Sequence, residues 1–469
     1  MTDFDLAIIG AGPAGMAAAV TADQAGMSVA LLDEQARPGG QIYRDVTRTG
    51  TDSADRMRIL GADYAHGSTL TGALIASRVH HITGVVVWSI EEGFRLVYTA
   101  NGAAAHIGAK RVLIATGALE RAMPVPGWTL PGVMTAGAAQ ILLKGSGILP
   151  RRAVLAGSGP LIYLVAAQMV RAGVPPLALV ETQTRGDMMQ AMRHLPAALK
   201  GWRGLAKGLG LLAELRRAGV RRFAGATGLA VEGTDKAEAL CFQAGARDHR
   251  IACDTVLLHH GVVPNAQAAR ALGVSHRWTQ AQQAFTPVLD KWGGTDLPGL
   301  FIAGDGAGIG GAMVAEIAGR LAALKLAEEA GHLTDVARDS QAKPLFRARS
   351  RELAIRPFLD AAYPPFSDAL APTDSTIICR CEEITAGEIR QTATLGCLGP
   401  NQAKSFTRAG MGPCQGRYCG LSVTAILSEA TGQSPDVTGY YRIRPPLKPV
   451  TLADLATMAE TEATDPEGE

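Results

Sequence analysis

No C-x-x-C pair occurs in this sequence, and seven cysteines in 469 residues are too few for a disulfide scaffold. Disulfide exchange through a C-x-x-C motif is thereby not expected. Charged residues make up 19% of the chain and aromatic residues 5%, which rules out a highly charged coiled coil. Hydrophobic residues, at 47%, are enough for a sizeable core, so the chain is not disordered. Neither sign of charge dominates: 45 Lys and Arg face 43 Asp and Glu, a net charge of +2. No basic field strong enough to hold nucleic acid follows. The apolar run Leu161 to Val170 falls short of the ~20 residues that cross a bilayer. The opening Met1-Thr2-Asp3-Phe4-Asp5 has no basic n-region, so no signal peptide is expected and a cytoplasmic location is. Glycine is what abounds: 55 of 469 residues, against a usual share of about 7%. At roughly 150 residues per domain, the length allows about three domains.

Phe4 to Ile9 reads as a short buried strand. Gly10-Ala11-Gly12-Pro13-Ala14-Gly15 follows, then a helical run to Ala25 and a second strand from Met27 to Leu32, closed by Asp33-Glu34. This order has a physical reason. The first glycine makes the turn, the second admits a pyrophosphate, and the third lets helix and strand pack closely. The helix N-terminus offers free N–H groups to phosphates. An acid closing the second strand accepts hydrogen bonds from a ribose, which makes Asp33 and Glu34 candidates.

Two later strands end similarly, one in Thr116-Gly117 and one in Gly304-Asp305. With the first fingerprint, they resemble the glutathione-reductase-like, two-dinucleotide-domain flavoprotein superfamily. The resemblance implies FAD in the first site, with Asp305 holding its ribityl chain. The helix from Ala312 to Ala330 would aim its N-terminus at the flavin pyrimidine, where negative charge grows on reduction. Pro38-Gly39-Gly40-Gln41 is similar to the superfamily's loop beside the flavin, which adds Gly40 and Gln41.

A second βαβ unit carries Gly157-Ser158-Gly159-Pro160-Leu161-Ile162 and ends at Glu181. Ile162 stands where close packing wants a small residue, so this fingerprint is degenerate. Glu181 suits a ribose 2′-hydroxyl. NAD, or an adenine nucleotide held for structure, are the two readings for Gly157, Gly159 and Glu181. Cys241 and Cys253 read as core cysteines, and the pairs His80-His81 and His259-His260 as structural.

The remaining chemistry lies late in the chain. Cys379 and Cys381 form C-x-C, and after 32 intervening residues Cys414 and Cys419 form C-x4-C. The intervening arm reads as a helix with Thr385 as N-cap and Glu388 in capping-box position. Four thiolates in two close pairs select iron–sulfur or zinc. The stretch GMGPCQGRYC resembles the bacterioferritin-associated-ferredoxin-like [2Fe–2S] module, which favours iron–sulfur. Cys397 falls outside both pairs. Gly410, Gly412, Gly416 and Gly420 are expected to let backbone N–H groups reach the sulfurs.

The order of parts resembles one family along nearly all 469 residues: the A (α) subunits of heteromeric opine oxidases and dye-linked proline or hydroxyproline dehydrogenases, with the equivalent hydrogen cyanide synthase subunit. LLDEQARPGGQIYR, PGVMTAGAAQ and YYRIRPPLKP carry it. It implies an electron-handling subunit beside a flavin-bearing β subunit that oxidises the amine or amino acid. It also admits an FMN at a subunit interface, a small third iron–sulfur subunit, and attachment to the inner membrane only through partners. The alternative is an NAD(P)H-dependent flavin reductase delivering electrons through its cluster. The expected fold class is α/β, with two Rossmann-like three-layer dinucleotide domains and a small, mainly helical [2Fe–2S] domain. The expected division is a split FAD domain at 1–121 and 284–345 and an inserted second nucleotide domain at 122–283. A linker at 346–374, the cluster domain at 375–440 and a Pro-rich strap with an acidic tail at 441–469 complete it.

Overall fold

Leu6–Ile9 is buried at all four positions and forms β1, the pattern of a strand covered on both faces. The computed structural model describes residues 3–48 and 53–463. In chain order, α1 (Pro13–Gln24), β2 (Val29–Asp33), β3 (His80–Thr83), β4 (Val112–Ile114) and β5 (Ala118–Glu120) follow. Next come β6 (Val133–Thr135), α2 (Ala136–Ser146), β7 (Ala153–Gly157), α3 (Pro160–Arg171), β8 (Ala178–Glu181) and α4 (Trp202–Arg217). Then come β9 (Arg221–Ala224), β10 (Thr255–His259), β11 (Val262–Pro264), β12 (Leu300–Ile302), α5 (Ala312–Glu329), α6 (Asp335–Leu353), α7 (Ala386–Thr394) and α8 (Gly420–Thr431).

Ten of these strands form two parallel five-stranded sheets. One has the order β12-β4-β1-β2-β3, the other β6-β10-β7-β8-β9. Each contains one glycine-loop βαβ unit, so the α/β class holds. The chain leaves the first sheet along β5 and returns along β11, and these two strands pair antiparallel with Leu119 opposite Val263. In the first unit α5 lies against α1 over a buried core that includes Met16, Ala18, Ala22, Leu321 and Leu324. Their backbones touch at Gly319. A Cβ there would lie 2.8 Å from Ala14 C and closer still to Ala14 O.

One expectation for the C-terminal third needs correction, and two gain detail. The segment 346–374 is not a free linker. α6 runs on to Leu353, short helices cover Arg356–Ala362 and Ser367–Leu370, and Phe366 and Ala369 are buried in the second unit's core. Pro357 opens the first of these short helices, Pro364, Pro365 and Pro372 follow the helix ends, and Phe366 anchors the turn between them, donating its N–H to His260 Nδ1 at 3.2 Å. The strap does not stand away from its own chain. Tyr441, Ile443 and Leu447 are buried, and Leu447 N–H donates to Trp88 O at 2.6 Å. The tail begins as a helix, Leu452–Ala463, and its residues 464–469 lie outside the described ones.

Candidate cofactor sites

The first glycine loop is tied down by its own backbone. Gly10 N–H donates to Leu32 O and Gly39 N–H to Ala11 O, both at 2.8 Å, so the 10–15 and 38–41 loops lie side by side. A Cβ on Gly40 would come 2.8 Å from Gly12 Cα, which explains glycine at both positions. Gly15 faces Gly10 just as tightly, its Cβ position lying 3.0 Å from Gly10 C. Ala14 is buried beneath, against α5. Thr116 Oγ1 is buried without a partner, and Gly117 O accepts the N–H of Asn265 at 3.0 Å. At the far side, Asp305 Oδ1 accepts the N–H groups of Gly310 and Gly311, each at 2.9 Å, and so fixes the loop that opens α5. Gln41 Oε1 accepts from Arg44, and its carbonyl from Lys144 Nζ at 3.0 Å.

The two adjacent acids divide the work differently from expectation. Asp33 is 7% exposed, with Oδ2 on Ala11 N–H at 2.5 Å and Oδ1 on Gln35 N–H at 2.7 Å. Burial pushes its carboxyl above the usual carboxylate range, against those two hydrogen bonds. It braces the loop. Glu34 is the acid that faces outward, where its carboxylate meets Lys448 of the C-terminal segment. An FAD fits this donor set. Glycine backbone and the α1 N-terminus would face its pyrophosphate and Glu34 its ribose, and Thr116 brings an unclaimed hydroxyl.

The second loop is built alike but closed where a ribose would sit. Glu181 follows Ile162 by the same nineteen residues that separate Glu34 from Gly15. Yet Glu181 is 1% exposed. Arg222, on the neighbouring strand β9, donates to it through Nε at 2.6 Å and Nη2 at 3.0 Å, and Gln183 Nε2 donates at 3.1 Å. The expected ribose role of Glu181 is therefore corrected: its carboxylate is occupied by the protein. Close to the loop, a Cβ on Gly159 would lie 3.0 Å from His259 Nε2. Ser158 Oγ and Thr182 Oγ1 remain buried and unpartnered beside Gly157. Such a pair suits a phosphate group, which an adenine nucleotide and a nicotinamide dinucleotide both carry.

The cysteine module places its four candidate ligands in two pairs. Cys379 and Cys419, both 1% exposed, are hydrogen-bonded to each other, and half-buried Cys381 and Cys414 likewise. The Cys379 thiol is drawn down to about 6, chiefly by its bond with Cys419, against burial and helped by Gly410 N–H at 3.5 Å. That same bond, with burial, pushes Cys419 well up. Among the described residues, no three Cys, His, Asp or Glu side chains are gathered tightly enough to hold one metal ion. Two separate thiol pairs suit a two-iron cluster better than a single zinc. The capping box at Thr385 and Glu388 is formed, and it starts the α7 arm between the pairs. Cys397 is buried apart from them. Of the four glycines, Gly410 does bring its N–H to a sulfur. Gly416 and Gly420 instead make room for the rings of Tyr441 and Tyr440, and Gly412 for Cys381.

Sequence reasoning missed a buried network where the two sheets are joined. Glu120, ending β5, meets His259 Nδ1 at 2.6 Å and accepts the N–H of Gly137 at 2.8 Å. Beside it His260 bonds Ala122 O at 2.7 Å, and burial, with Arg121 adjacent, holds it well below its ordinary value. Both histidines are buried and hydrogen-bonded within the protein. Cys253 is a core residue, but Cys241 is only half-buried. Lys144 was also missed. It is 3% exposed, and burial, with Arg44 near, draws it down to about 7.

Two parallel sheets, each with a glycine loop, and an outward acid beside the first define a flavin-dependent oxidoreductase built on paired dinucleotide folds. The family signature of pyridine nucleotide-disulphide oxidoreductases matches residues 4–331, and that of the sarcosine oxidase A3 domain matches residues 373–459. The chain belongs to the pyridine nucleotide-disulphide oxidoreductase family and, within it, to the group of opine oxidase A (α) subunits. It is 45% identical over 473 residues to the A (α) subunit of opine oxidase from Agrobacterium tumefaciens (strain Ach5), covering 98% of this chain and 93% of that one. It is 31% identical to hydrogen cyanide synthase subunit HcnB of Pseudomonas aeruginosa, covering 97% and 99%. The solved structure of L-proline dehydrogenase from P. horikoshii superimposes with a TM-score of 0.71 at 20% identity, over 97% of this chain and 79% of that one. No helix among the described residues is long and apolar enough to cross a membrane.

Proposed function

We propose that this chain is the electron-transfer subunit of a heteromeric dehydrogenase or oxidase acting on a secondary amine or amino acid. A flavin-bearing partner subunit oxidises the substrate, and this chain passes the electrons on to an external acceptor. Whole-length similarity to the A (α) subunit of opine oxidase supports the assignment. The observation that carries it is the linkage between the two candidate cofactor sites. Arg417, between Cys414 and Cys419, donates to Leu447 O, and the next residue, Lys448, meets Glu34. Gln415 Nε2 adds a bond to Pro446 O at 2.6 Å. The C-x4-C turn and the flavin-side acid are thus tied to one short segment, 446–448.

When bound, a flavin exchanges electrons in pairs and a [2Fe–2S] cluster singly, which suits transfer from an amine to a one-electron acceptor. The residues on hand do the holding. Gly10 to Gly15 and the α1 N-terminus take the pyrophosphate, Glu34 the ribose, and Asp305 orders the loop ahead of α5. Cys379, Cys381, Cys414 and Cys419 ligate the cluster. The second unit keeps a phosphate-bearing ligand on the Gly157–Gly159 loop for structure.

The test is Cys414→Ser in the complex co-expressed with its partner subunits. Iron content and visible absorption of the cluster should fall, dye reduction should slow, and flavin content should persist. Unchanged iron would sink the assignment. The retained second dinucleotide fold keeps an NAD(P)H-dependent reductase in view. Rapid anaerobic bleaching of the flavin by NADH or NADPH, without any partner, would favour that reading.

A further inference from the structure

Between β8 and β9 the second unit carries a helical excursion that the cofactor sites do not use. It opens with a helix at Arg185–Ala191 and ends with α4. α4 is apolar on two faces. Leu211 and Leu215 are buried in the core shared with α3. On the opposite side Trp202, Ala206, Leu209 and Ala213 fall at intervals of four, three and four residues, the spacing of one helical stripe. Trp202 is 61% exposed and Leu209 68%. Upstream, Met189 and Met192 are 74% and 51% exposed. A soluble surface spreads such residues singly, so this concentration asks for an occupant.

Charge identifies it. Residues 185–222 hold nine Lys or Arg and two Asp or Glu, in a chain whose net charge is only +2. Both acids are engaged, Asp187 in the capping box of Thr184 and Glu214 with Arg171. Arg222 and Lys207 are paired with Glu181 and Asp63. Arg193, Lys200, Arg203, Arg216 and Arg217 are exposed and enter no ion pair among the described residues. On α4, Arg203 and Arg217 border one edge of the apolar stripe and Arg216 the other. Protein interfaces also favour Trp, Met and Arg, but an excess of uncompensated cations around an apolar stripe calls for an anionic occupant. An apolar stripe edged by uncompensated cations is the pattern of a helix lying in a lipid headgroup layer.

We infer that the 185–217 excursion is a membrane-surface docking element. α4 lies parallel to an anionic bilayer, its Trp202–Leu209 stripe enters the acyl boundary, and the flanking arginines meet the phosphates. The inference is independent of the proposed function, since it involves no cofactor residue.

The test uses the full chain in its purified complex, mixed with vesicles of phosphatidylglycerol and phosphatidylcholine or of phosphatidylcholine alone. Sedimentation with the anionic vesicles, and its loss at about 0.5 M NaCl, is expected. Leu209→Glu and the pair Arg203→Glu with Arg217→Glu should each weaken vesicle binding about tenfold or more, without changing dye reduction in solution. Circular dichroism of each variant shows whether it is folded. If one fails to fold, the charge pair and the stripe variant each serve alone. Equal binding of variants and parent, or no binding to anionic vesicles, overturns the inference. So does cross-linking that places the α4 stripe under a partner subunit in the complex.

Discussion

Replacing Gly319 with alanine tests whether the first nucleotide unit depends on two helix backbones in contact. The new Cβ would stand 2.8 Å from Ala14 C and 3.0 Å from Ala14 Cα. Ala14 O would lie closer still, and carbon–oxygen contacts are ordinarily ~3.3–3.6 Å, so α5 must retreat from α1 by roughly 1 Å or more. The obstacle is backbone, which no rotamer change relieves. Overpacking of this kind costs about 3 kcal/mol. The better helix propensity of alanine offsets about 1 kcal/mol. The net loss of about 2 kcal/mol lowers the unfolding temperature of a unit this size by about 4–8 °C. A retreat of α5 also moves the Asp305 to Gly311 loop, so bound flavin should be released earlier in the melt. The control is Gly72→Ala in the helix Gly67–Ile75, where a Cβ meets nothing within 4 Å. That change should stabilise by about 0.5–1 kcal/mol. Both are read by thermal melts followed by circular dichroism and flavin fluorescence. A Gly319→Ala protein that melts and holds flavin like its parent would refute the close-contact argument.

Glu34→Ala should weaken flavin binding about tenfold with the fold intact, as expected for loss of one charge-assisted bond, read by flavin titration of apoprotein. Asp33→Ala should instead destabilise the loop itself, because Ala11 and Gln35 lose their acceptor. Arg222→Ala leaves the Glu181 carboxylate buried with only Gln183. A loss of about 2–3 kcal/mol in urea unfolding is expected, the partial exposure of Arg222 keeping it at the low end. Lys144 titrates near 7 when folded and near 10.5 when unfolded. Across that window the unfolded chain binds more protons, so this group makes stability rise with pH from about 7 to about 10.5. Lys144→Met should flatten that rise in melts taken at successive pH values. An unchanged slope would show that the lysine is hydrated.

The glycine loops, the two βαβ units and the cysteine pairs were legible because each rests on local spacing that physics restricts. Periodicity cannot separate Asp33 from Glu34, since adjacent acids differ only in which way they face. Counting would have helped only in part: Gly15 to Glu34 and Ile162 to Glu181 share one interval, so these two acids occupy equivalent positions in the two units. The closure of Glu181 by Arg222 was not legible, because the two meet only when β8 and β9 lie side by side. The network of Glu120, His259 and Gly137 N–H is long-range for the same reason. In 346–374 the prolines read as a linker, although Phe366 and Ala369 were apolar enough to hint at anchorage.

The contact between Lys448 and Glu34 joins residues 414 positions apart. Synthesis runs from the N-terminus, so Glu34 emerges early and waits without this partner until almost the whole chain has been made. Until then the rim of the first groove is open on that side, and the Gln415 and Arg417 turn has nothing to bond at 446 and 447. Closure of both is one late event in the history of the molecule. Cofactor insertion that precedes it meets an open rim, and insertion that follows must first displace the segment. The order of maturation is thereby written into where the chain places its last contacts.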